Sequence, residues 1–237
     1  MSRRNIARIT GILFISGAIL VNIPYTLLIM NFDYPDILRQ PAGIILERFA
    51  AGGSSLVWNW LAFAWVGLPI LFGILLLPKA MDDKTPASKV ALFFGATGAF
   101  VQIVGLLRWP FVVSVLADVY TNPQASVAEK EAVAVVFQTI HQYGGVVLGE
   151  HIGQLFTIIW IVILSIHWLI SKHFPRWFSI SGLIASLVYT LAQSELLATA
   201  IPDFPVWSAA GLIGSLMWLA WLIALGALVL RSSKDMQ

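Results

Sequence analysis

Gly144-Gly145-Val146-Val147-Leu148-Gly149-Glu150-His151-Ile152-Gly153-Gln154 opens an apolar run that continues to Ile170. A run of this length and composition is a membrane-crossing helix. Gly145, Gly149 and Gly153 recur every four residues and share one helix face, where a neighbouring helix can approach closely. Glu150, His151 and Gln154 stand beside that seam. Ionisable side chains are costly in a membrane helix and call for partners, so this segment predicts half of a buried polar cluster.

Composition sets the class. Hydrophobic residues make up 59% of the 237 and charged residues 11%, against about 25% charged in a soluble domain. The apolar residues come in six runs long enough to span a bilayer, at about 9–30, 54–77, 89–116, 146–170, 177–200 and 207–230. The expected fold is all-α: a polytopic membrane protein of six transmembrane helices forming a single domain over 1–237. A net charge of +2 gives no reason to expect nucleic acid as a partner. The chain has no cysteine, which excludes disulfides, thiolate metal sites and thiol nucleophiles.

Local signals refine the layout. The first apolar run has no small-residue cleavage site, so it is expected to stay as a signal anchor. Residues 42–51 predict a short interfacial helix. Pro78 predicts the stop of span two, and Pro110 a kink near the outer end of span three. Ser126 followed by Glu129 is a capping box, which starts an extracytoplasmic helix ahead of span four. Gly144-Gly145 predicts a bend or break before that span. Residues 231–237 form a polar tail. Tryptophans near the expected span ends (Trp58, Trp60, Trp109, Trp168, Trp177, Trp207) suit interfacial belts, whereas Trp160, Trp218 and Trp221 lie deeper as packing residues.

Arg3, Arg4, Arg8, Lys79, Lys84, Lys89, Lys172, Arg176, Arg231 and Lys234 all fall at one set of loops and termini; the opposite loops hold only Arg39, Arg48 and Lys130. The positive-inside rule then places both termini in the cytoplasm of a bacterial inner membrane. Counted from the basic ends at about 1.5 Å per residue, Arg108, Glu150 and Glu195 each lie roughly 28–33 Å away, near the outer boundary. Asn59 starts span two at that level. Gln102 and Gln154 sit slightly deeper. Arg108, Glu150, His151, Glu195, Asn59, Gln154 and Gln102 thus form the candidate ligand-binding or buried polar cluster. Arginine binds carboxylate or phosphate in bidentate fashion, but an arginine–glutamate pair also serves as a plain helix clamp.

No GxSxG, P-loop, dinucleotide or HExxH motif occurs, and no cofactor or metal is assigned. His141 and His151 lie about 15 Å apart along a straight helix and would converge on a metal only if Gly144-Gly145 breaks it.

The order of these features resembles a family of small bacterial membrane proteins catalogued as a domain of unknown function. The likeness covers nearly the whole chain. It rests on Arg8-Ile9-Thr10-Gly11-Ile12-Leu13, on Gly105-Leu106-Leu107-Arg108-Trp109-Pro110-Phe111, and on His141-Gln142-Tyr143-Gly144 leading into Gly149-Glu150-His151-Ile152-Gly153-Gln154. Phe174-Pro175-Arg176 with Gly182 adds to it. The resemblance implies six spans and assigns no chemistry.

Three functions follow from the residues. First comes a protein that binds, senses or transports a small molecule, ion or lipid at the outer leaflet. Second is an intramembrane enzyme using His151 with Glu150 or Glu195. Third is a non-catalytic subunit whose small-residue faces on spans four and six (Gly211, Ser215) dock another membrane protein.

Overall fold

The computed structural model describes residues 1–234. All of its regular structure is helical. Six helices are long and apolar enough to cross a membrane: α1 (Arg3–Phe32), α2 (Ala42–Met81), α3 (Pro86–Thr121), α4 (Val127–Ser171), α5 (Arg176–Ala198) and α6 (Ser208–Lys234). Residues 235–237 of the polar tail lie outside the described residues, and 231–234 continue α6.

Proline chemistry explains where the long helices deform. Proline lacks the N–H that would bond the carbonyl four residues back. Pro24 leaves Leu20 without a donor, and α1 is interrupted at Val21. Pro69 does the same to Trp65, and α2 is interrupted at Val66. Pro110 deprives Leu106, and the chain answers with a wide turn of π-helix over Trp109–Val113. Here the expected kink is a π segment. α2 breaks once more at Gly53, whose φ of 57° and ψ of −155° suit glycine alone. Residues 42–52 ahead of it form the short helix anticipated over 42–51.

Three further expectations are corrected. Pro78 does not end α2, which runs on to Met81 and stops where Asp82 turns left-handed. Gly144-Gly145 does not break α4, because His141–Ile152 form one continuous π-helical stretch. Trp60, Trp109 and Trp168 are fully buried rather than belted at an interface, each stacked among other rings; Trp58, Trp177 and Trp207 are exposed. The capping box is present as Ser126 and Glu129 bond each other's backbone N–H.

The basic ends of the helices meet at one end of the bundle. Arg3 Nε donates to Ala80 O at 3.3 Å and its guanidinium lies 3.6 Å from Asp82. His167 Nε2 is 2.8 Å from Asp83 Oδ2. Above this end the six helices enclose a dense core of Phe14, Trp160, Trp168, Phe178 and Trp221. A second core, built on Phe32, Phe49, Trp60, Trp109 and Phe137, lies toward the opposite end.

Candidate functional site

The close helix approach anticipated from the glycine stripe occurs, and α3 is the neighbour. A Cβ on Gly105 would stand 2.6 Å from Gly149 Cα, and one on Gly149 would stand 3.1 Å from Gly105 Cα. Neither position admits a side chain without separating the helices. This contact fixes what flanks it. Arg108 follows Gly105 by one turn, and Glu150 follows Gly149 directly. Deeper in the seam, Gln102 Nε2 donates to Gly153 O at 3.1 Å and to Thr157 Oγ1 at 3.0 Å. Gln102 is thus a clamp between α3 and α4.

Arg108 is 8% exposed. Its guanidinium lies over Gly145, where a Cβ would come within 3.0 Å of Nη2, Cζ and Nε. It also stands 5.2 Å from the centroid of the Trp109 ring, a cation–π contact. That ring stacks on Trp60 at 4.5 Å and on Phe49 at 5.7 Å. Nη1 donates to Gly105 O at 2.5 Å, while Nε is buried with no partner. The expected Arg108–Glu150 ion pair is not formed: among the described residues, Arg108 makes no salt bridge, and Glu150 has neither a salt bridge nor a hydrogen-bond partner. The reason is geometric, since the arginine side chain is spent on Gly145 and Trp109.

These groups face a cavity of about 380 Å³ bordered by all six helices. Arg108, Glu150, Gln102, Gln154 and Glu195 all stand on its wall. Most of the remaining wall is apolar, including Phe63, Ile70, Ile103, Trp160 and Leu219. Glu195 does not join Arg108. It pairs with Arg39 from the α1–α2 connection, and both are about two-fifths exposed at one end of the cavity.

His151 and Asn59 do not border the cavity. Asn59 donates to Pro24 O at 3.3 Å, tying α2 to the α1 break. His151 Nδ1 is 2.7 Å from Gln193 Oε1, and Gln193 Nε2 donates to Gln154 Oε1 at 2.6 Å. An amide oxygen only accepts, so Nδ1 carries the proton in this arrangement. No carboxylate bonds His151 among the described residues. His141 stays apart from it, stacked on Phe137 at 5.4 Å. No group of three or more His, Asp or Glu side chains gathers as a metal site among the described residues.

A family model described as a domain of unknown function, DUF4386, matches residues 9–226. The chain belongs to the DUF4386 family. No curated protein and no solved structure matches it.

In this DUF4386 protein the cavity recruits residues that the sequence pattern did not single out. Tyr34, beside Trp60 and Phe63, and Tyr189 on α5 both line the wall. Burial, and then the negative charge of Glu150, push the Tyr34 hydroxyl above its usual range, so it stays a hydrogen-bond donor. Tyr189 and Gln193 are four residues apart and share a helix face, a spacing that marks α5 as polar on one side. Arg39 carries the only basic charge of its connection near Glu195, a pairing of opposite signs that loop sequence alone does not locate.

Proposed function

We propose that this protein binds a small organic molecule or lipid in the cavity beside Arg108 and Glu150, as a carrier, sensor or transport-type protein of the membrane. The observation that carries this reading is one arginine, nine-tenths buried, and one glutamate on the wall of the same void, with no salt bridge to either among the described residues. A buried charge left without a partner is strongly destabilising, and folded proteins avoid it unless something else supplies the counter-charge. A void of about 380 Å³ falls within the usual size of ligand pockets. The whole chain acts as one transmembrane domain in this proposal. Its basic end and both termini face the cytoplasm, which turns the Arg39–Glu195 end of the cavity outward.

The enzyme reading has less support, because His151 bonds Gln193 and stands off the cavity wall. The subunit reading loses its span-four surface, because α3 already occupies Gly145, Gly149 and Gly153.

Native mass spectrometry of the protein released from detergent tests the proposal. A non-covalent adduct is expected on the natural chain, with reduced occupancy on Arg108→Gln and on Glu150→Gln and unchanged occupancy on Trp58→Phe. A bare protein, or equal occupancy on every variant, overturns it.

A further inference from the structure

The cavity has a second opening besides the Arg39–Glu195 end. The first half of α1 packs along α6, but past the Val21 interruption its second half packs on the start of α2 instead. The cavity wall there runs from Val21, Asn22 and Tyr25 on α1 to Gly211, Leu212, Ser215 and Leu216 on α6. Residues in a closed wall are buried. Leu212 and Leu216 border the cavity yet are 55% and 52% exposed. A Cβ added to Gly211 would meet nothing within 4 Å. The wall is therefore open sideways, within the apolar length of two membrane-crossing helices.

This opening constrains what reaches Arg108. A slot flanked by leucines at bilayer depth offers a polar, water-borne solute nothing, whereas a hydrocarbon chain is at home there. Inside, the apolar wall leads to the Arg108 guanidinium, which borders the void and makes no salt bridge among the described residues. Guanidinium is matched by a pair of anionic oxygens, the geometry of carboxylate and phosphate.

We infer that the gap between α1 and α6 is a lateral portal through which a single-chain anionic amphiphile enters from the bilayer, its head on Arg108 and its chain trailing past Leu212 and Leu216. This rests on the cavity being a ligand site. Tyr34 and Gln154 are placed to donate to the same head, and Glu150 beside them favours a phosphate head in its singly protonated, monoanionic form. A fatty acid and a lysophosphatidic acid share the required chemistry.

The test loads the full chain in nanodiscs with palmitate, palmitoyl-lysophosphatidic acid or the uncharged monopalmitoylglycerol, and follows bound ligand by native mass spectrometry over time. At least one anionic amphiphile is expected to bind more tightly than the glyceride. Arg108→Gln is expected to remove that preference, about tenfold in Kd, the loss of one charge-assisted contact. Arg108→Lys, which keeps the charge and folding demands but not the planar fork, is expected to retain part of it. Leu212→Trp with Leu216→Trp narrows the portal without touching the polar end. It is expected to slow loading from the bilayer while leaving the preference for an anionic head over the glyceride in place. Palmitate bound without lysophosphatidic acid assigns a carboxylate head, and the converse assigns a phosphate. Equal binding of all three probes, or an Arg108→Gln protein with its preference intact, overturns the ligand class. Unslowed loading of the tryptophan variant overturns the portal. Either result leaves the ligand site standing if a different adduct survives purification on the natural chain and weakens on Glu150→Gln.

Discussion

The two halves of the bundle solve the same packing problem in opposite ways. At the basic end, Phe178 and Trp221 stack at 4.9 Å, Trp160 meets Trp221 edge-on at 5.7 Å, and α1 touches α6 through Gly11 and Gly226. Two ion pairs tie that end together, His167 with Asp83 and Arg3 with Asp82. At the other end, proline interruptions at Val21 and Val66 and the π segments of α3 and α4 pull the helices out of register with one another. A void of about 380 Å³ lies there, and four donors of its lining residues, Trp60 Nε1, Arg108 Nε, Trp109 Nε1 and Trp218 Nε1, are buried without hydrogen-bond partners. π-helical turns inside α-helices recur at functional sites, and here the longer one carries Glu150. The contrast teaches where to look. A chain that stacks rings at both ends has no packing reason to leave a void beside Arg108 and Glu150.

That contrast can be broken experimentally. The largest difference is expected from tryptophan truncation, read as thermal or denaturant unfolding in detergent. Trp168→Ala in the filled half should cost about 3–5 kcal/mol. Trp218→Ala, partly exposed on the cavity wall, should cost less than half of that. Equal losses would mean that the void is filled as tightly as the aromatic core.

Next come the helix seams. Gly105→Ala forces a methyl group onto Gly149 and should destabilise by about 1–3 kcal/mol. Gly211→Ala meets open space and gains helix propensity, so its effect should stay within about 1 kcal/mol and favour the folded state. A Gly105→Ala protein as stable as the parent would contradict the α3–α4 contact that positions Arg108.

Arg108→Met should leave stability unchanged or raise it slightly, since an unpaired charge leaves the membrane interior, while the bound adduct is lost. Strong destabilisation with the adduct retained would turn Arg108 into a structural clamp.

The smallest effect is expected at the filled end, as a pH dependence. Burial tends to raise the Asp83 carboxyl, but hydrogen bonds from Thr85 and the neighbouring His167 outweigh it and hold the group below its ordinary 3.8. A depressed carboxylate stabilises the fold above its unfolded value and loses that contribution as pH falls through the folded one. Unfolding midpoints should therefore drop below about pH 4, and Asp83→Asn should flatten that acid limb. An unchanged acid limb in Asp83→Asn would remove Asp83 as its source.

The all-helical architecture was legible because long apolar runs leave little choice in a bilayer, and Ser126 with Glu129 marked a helix start through local chemistry alone. The glycine stripe announced a close neighbour, and depth counting put Arg108, Glu150 and Glu195 at one level. What the sequence could not convey was direction around each helix axis. His151 turns toward Gln193 because the π-helical stretch His141–Ile152 rotates side chains away from 3.6-residue bookkeeping, and Asn59, on a regular helix, turns toward Pro24 O. Tyr34 and Arg39 reach the cavity from a connection whose path is set by tertiary contacts. The tryptophans near helix ends suggested interfacial anchoring, yet Trp60 and Trp109 are stacked inside, since burial depends on which face they share with other rings.

An experimental density map of the purified protein tests the central claim most directly. The account predicts elongated non-protein density running from the Arg108 guanidinium past Glu150 toward the gap between Asn22 and Leu212. A direct Arg108–Glu150 salt bridge with the walls closed around it, and nothing between them, would contradict it.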